Sequence, residues 1–86
     1  MQINYSPVAA LNRTYAFSKV YGKEKAIIEA EKLKLINNHF YFLLLGELYN
    51  GIDNARSIKN FEKAMSMAKT SAEKLVIQGQ LYKISN

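Results

Sequence analysis

The sequence predicts an all-α protein, an antiparallel array of five helices joined by short loops. Three observations lead there. Apolar residues recur at helical spacing, and no alternating strand pattern survives in any window. The 86 residues include one Pro and four Gly, few breakers for a chain of this length. Asn38–Lys69 reads as helix, tight turn and helix, and its run Phe40, Tyr41, Phe42, Leu43, Leu44, Leu45, Leu48, Tyr49 leaves the first of these two helices almost no polar face. A helix apolar all round needs neighbours on several sides. In so short a chain those neighbours are the segments before and after it.

Taken in order, Ser6-Pro7 is a helix start: the Ser hydroxyl caps, and Pro at the first helical position gives up no useful N–H. The first helix is expected from Pro7 to about Val20, with Val8, Leu11, Tyr15 and neighbouring alanines inward, and Gly22 ending it. Ala26, Ile27, Ala30 and Leu33 mark a second over Lys23–Lys34. Asn37-Asn38 break the pattern and cap a third, His39–Tyr49; Asn50-Gly51 is a turn dipeptide. Asp53 or Asn54 caps the fourth, whose inward stripe is Ile58, Phe61, Met65 and Ala68. Thr70 followed by Glu73 is a capping box opening the fifth, which carries Leu75, Val76, Leu81 and Ile84.

Length and composition narrow the function classes. A chain of 86 residues is one domain, expected to span 1–86. Without cysteine, disulfides and thiolate metal sites are excluded. The N-terminus lacks a secretory pattern, and Phe40–Leu45 is far shorter than the ~20 apolar residues that cross a bilayer. A soluble, cytoplasmic protein with no membrane role is expected. Net charge is +5, spread along both halves and carried mostly by Lys. This reads as a solvated basic surface, with a small nucleic-acid-binding protein as the rival.

An internal repeat sharpens the architecture. Leu11-Asn12-Arg13-Thr14-Tyr15 and Leu45-Gly46-Glu47-Leu48-Tyr49 align at a spacing of 34 residues, the tetratricopeptide period. In the second unit Phe42, Leu45, Gly46 and Tyr49, then Ser57, Phe61 and Ala64, sit at the positions of that motif. The first unit matches at Leu11, Tyr15, Gly22, Ala26 and Ala30, but Asn12 replaces the small Gly and the loop is expected to be longer. The fifth helix is then the lone cap of about two and a half tetratricopeptide-like units.

Ser6-Pro7-Val8-Ala9-Ala10-Leu11-Asn12-Arg13, then Gly22 with Ala26 close behind, resembles the start of a specific extension. It is the C-terminal tetratricopeptide-like domain of a subgroup of extracytoplasmic-function (ECF) RNA polymerase sigma factors. Asn38-His39-Phe40-Tyr41, Leu44-Leu45-Gly46, Phe61-Glu62-Lys63-Ala64 and Ala68-Lys69-Thr70-Ser71-Ala72-Glu73 follow in the family's order. Thr14, Tyr15 and the charged Lys23-Glu24-Lys25 depart from its pattern. The resemblance implies a fragment of a longer sigma factor, or a free-standing relic of one, without the promoter-reading and polymerase-binding regions. It implies a protein–protein interaction role in transcription initiation and its regulation. The partners would be the sigma regions or RNA polymerase, with no direct DNA contact from this fragment.

Candidate sites are few. No nucleophile triad, paired carboxylates or phosphate loop is present, so no catalytic residue, cofactor or metal is assigned. His39 reads as a capping or packing residue. The tyrosines read as packing groups rather than stacking platforms for nucleic acid. Asn12 and Arg13 are polar residues beside apolar ones: either the Arg13 stem lies along a neighbouring helix, or the pair anchors the domain to its partner. The partner-binding set is Asn12, Arg13, Tyr15, Glu47 and Asn50, expected in a groove lined by the first helix of each pair. A structural role with self-association as a homodimer is the third alternative.

Overall fold

The structure is a computed structural model that describes residues 7–85. Helices α1 (Pro7–Tyr21), α2 (Lys23–Leu33), α3 (His39–Tyr49), α4 (Asn54–Met67) and α5 (Ser71–Ser85) follow one another, with no strand among the described residues. The expected Ser6 cap and the inward placement of the Val8 side chain lie outside what is described.

Local chemistry sets the helix ends. Gly22 stops α1 at φ +94°, a left-handed conformation that costs glycine no steric strain. The Asn38 side chain accepts from the Phe40 N–H at 2.9 Å and caps α3. Asp53, rather than Asn54, caps α4 by accepting from the Arg56 N–H at 3.2 Å; Asn54 instead accepts from the Gly51 N–H in the turn. The Thr70 hydroxyl accepts from the Glu73 N–H at 3.2 Å, and the Glu73 carboxylate accepts from the N–H groups of Thr70 and Lys69. That closes the capping box reciprocally.

The box has a pH signature. Its backbone donors hold the Glu73 carboxyl below its ordinary value of 4.5, so the folded chain favours the charged form. Its stabilisation is therefore complete above that ordinary value and disappears as pH falls through the lower folded one. Glu73→Ala is expected to melt below wild type at neutral pH, with the gap closing in acid; a pH-independent gap in thermal melts would refute this.

Helix α3 is the centre of the array. On one side Tyr41, Leu44, Leu45, Leu48 and Tyr49 pack with Leu11 of α1 and with Ala26, Ile27 and Ala30 of α2. On the other, Phe42 and Leu43 lean on a second cluster of Phe61 and Ala64 from α4 with Ile77 from α5. This two-sided cover is why α3 has no polar face. Helices α3 and α4 approach closely: a Cβ built on Gly46 would lie 2.7 Å from the Phe61 ring. Beside it the buried Ser57 hydroxyl donates to the Gly46 carbonyl, so no polar atom is stranded there.

Several expectations change in three dimensions. Tyr15 is 44% exposed, and the inward positions of α1 are Leu11 and Thr14, whose hydroxyl donates to the Ala10 carbonyl. The connection after α1 is Gly22 alone, not a longer loop, because the extra residues extend α1 to 15 residues against 11 in α3. Asn12 therefore sits on the surface instead of taking the place that Gly46 occupies at a helix contact. In α4 the fully buried line is Ser57, Phe61 and Ala64, with Ile58, Met65 and Ala68 at its margin. In α5 Leu75 and Val76 face outward, and Ile77 is the buried anchor, flanked by Leu81 and Ile84. Among the described tyrosines Tyr41 and Tyr49 pack in the core, whereas Tyr15, Tyr21 and Tyr82 are exposed.

The array measures 46 × 28 × 17 Å. Its radius of gyration is 12.8 Å, against about 12 Å for a compact chain of this length. The shape is an elongated slab, which leaves a long face open.

Candidate groove on the α1, α3 and α5 face

Two adjoining hollows run along that slab. The first, of about 400 Å³, lies between α1 and α3 and is lined by Leu11, Asn12, Tyr15, Phe40, Leu43, Leu44 and Glu47. The second, of about 230 Å³, shares Tyr15 and Glu47 and adds Lys19, Lys23, Asn50 and Gln80. The shared residues make the two one groove, lined mainly by the odd-numbered helices. Four of the five residues singled out in the sequence, Asn12, Tyr15, Glu47 and Asn50, line it.

Arg13 does not. It lines a separate hollow of about 360 Å³ between α1 and α2, with Ala10, Thr14, Phe17, Glu29 and Leu33. Helix geometry explains the split, since each residue turns ~100° about the axis. Leu11, Asn12, Tyr15 and Ser18 share one face, and Arg13 falls on the opposite one.

The groove's residues differ in how they are held. Tyr15 stands with the Lys19 ammonium 4.9 Å from its ring centroid, a cation–π distance. Lys23 donates to the Asn50 carbonyl at 2.9 Å, joining the start of α2 to the end of α3. Asn50 thus contributes its backbone to the groove wall as well as ending α3, where its N–H donates to the Gly46 carbonyl. Glu47 is half-buried, and burial raises its pKa; the nearby Lys19 and Lys23 charges pull the other way without cancelling the effect.

Polar groups behind the groove serve the scaffold. The Tyr49 hydroxyl donates to Glu31 at 3.0 Å and accepts from Arg56 at 3.5 Å, tying α2, α3 and α4 together. Burial pushes the pKa values of Tyr49 and Tyr41 up, so both stay neutral. His39 stacks on Phe40 at a centroid distance of 4.0 Å, its Nε2 lying 3.8 Å from the Glu73 carboxylate.

Sequence reasoning missed Phe40, Leu43, Leu44, Lys19, Lys23 and Gln80 as groove residues. A signal existed for three of them: Phe40, Leu43, Leu44 and Glu47 stand at i, i+3, i+4 and i+7 on one helix face. Gln80 had none, because its place depends on how α5 docks. Comparison with protein-family models, curated proteins and solved structures found no match to this chain.

Proposed function

We propose that this chain is a cytoplasmic protein-interaction module, tetratricopeptide-like in plan, that holds a partner segment in the groove of α1, α3 and α5. The observation that carries the reading is the convergence of Asn12, Tyr15, Glu47 and Asn50, from two helices and a turn, on one open groove. Pockets that hold ligands combine apolar walls with a few placed polar groups, and this groove has that composition. Following the resemblance of the Ser6–Arg13 segment, the partner is the sigma regions of an ECF-type sigma factor or RNA polymerase. The role is regulation of transcription initiation.

The test is an in vitro transcription assay with RNA polymerase and an ECF sigma factor of that subgroup lacking its own C-terminal extension. Adding the wild-type chain should change transcript yield several-fold. The quadruple variant N12A/Y15A/E47A/N50A should lose the effect while melting within a few degrees of wild type. If the wild-type chain has no effect, the sigma-factor assignment falls; if the variant acts like wild type, the groove does.

A further inference from the structure

The groove is not chemically uniform along its length. At one end its walls are Leu11, Phe40, Leu43 and Leu44. At the other, beyond Tyr15 and Glu47, stand Lys19 and Lys23. Both lysines act on Glu47 electrostatically, so two ammonium groups share one carboxylate there. Among the described residues lining that end, Glu47 is the one carboxylate. The basic end therefore keeps an uncompensated positive charge, on a chain whose net charge is already +5.

Resting on the docking role above, we infer that the groove takes an acidic–apolar peptide segment of another protein. Its apolar side chains seat against Tyr15, Phe40 and Leu43, and its carboxylates reach Lys19 and Lys23. The lysines are partly positioned in advance. Lys23 uses one of its three donors on the Asn50 carbonyl and retains two, and Lys19 is held over the Tyr15 ring. Groups held in place lose less freedom on binding. A basic segment would bring like charge to the lysine end, whereas an acidic one is also steered in by the field of the whole chain. Nucleic acid fits less well: a phosphate backbone needs a continued basic stripe, and half of this groove is an apolar hollow.

The experiment selects binders from a random dodecapeptide library displayed on phage, using the full chain, and then measures selected peptides by fluorescence anisotropy. Wild type is expected to enrich peptides of net negative charge that carry leucine, isoleucine or phenylalanine. Charge reversal in K19E/K23E should weaken them by about tenfold at low salt and shift a repeated selection away from acidic sequences. The exposed positions of both lysines leave the core untouched, and K19Q/K23Q, with a smaller loss in the same direction, guards against a folding effect. Enrichment of neutral or basic peptides that Y15A or F40A abolishes would overturn the inference while leaving the groove as a docking site. Acidic peptides indifferent to K19E/K23E would overturn it too. No enrichment, or binding indifferent to Y15A and F40A, would remove both readings. A labelled single-stranded oligonucleotide that displaced the selected peptides at lower concentration would replace the peptide with nucleic acid.

Discussion

Phe61→Ala is expected to cost about 3–5 kcal/mol, the range for truncating a fully buried aromatic side chain. Phe61 has no exposed surface. Its ring fills the space between α3 and α4 and belongs to the cluster that ties in α5 through Ile77. A domain of this length has roughly 4–13 kcal/mol in total at ~0.05–0.15 kcal/mol per residue. The variant should thus lose between about a quarter and all of its stability and unfold at lower urea. Because α5 gains its burial from the same cluster, urea titrations should show its loss together with that of α3 and α4. A midpoint shift worth less than about 1 kcal/mol would mean that the ring is not the keystone of this contact.

Gly46→Ala should be the next most damaging change, although alanine is the better helix former by ~1 kcal/mol. The added Cβ would sit 2.7 Å from ring carbons of Phe61. That ring is closed in on every side, so it cannot swing away. Overpacking of this kind costs about 1–3 kcal/mol, and with contacts this short the upper part of the range applies and outweighs the propensity gain. The net expectation is a loss of about 1–2 kcal/mol, or a melting temperature lower by about 5–15 °C. Phe61→Leu should relieve the clash, so Gly46→Ala should cost at least about 1 kcal/mol less on that background. Equal costs on both backgrounds would show that the Gly46–Phe61 approach is not what limits the site.

These two residues also show which part of the fold was legible in advance. Gly46, Ser57, Phe61 and Ala64 were picked out by their places in the repeat, and they meet between α3 and α4; of the stripe read from periodicity in α4, Ile58, Phe61, Met65 and Ala68, only Phe61 is fully buried. Helices α1 and α5 carry apolar residues on several faces, so periodicity alone could not say whether Tyr15 or Thr14, Val76 or Ile77, turns inward. The same ambiguity put Arg13 in the candidate groove. Asn12 and Tyr15 belong there, but Arg13 and Thr14 between them lie on the α1–α2 side.

By itself the sequence determined the all-α class, the five helices to within about two residues at each end, and the need to cover α3 on more than one side. Those features rest on interactions between near neighbours, namely the Asn38 and Asp53 caps, the Thr70–Glu73 box, and Gly22 and Gly51 at positive φ. Tertiary structure alone decided which faces are buried, that α1 runs on to a single-residue turn, and that Lys19, Lys23 and Gln80 join Tyr15 and Glu47 in one groove. Such choices depend on the surfaces offered by segments distant in the chain, where the free energy of burial is set by the neighbour and not by the residue's own position.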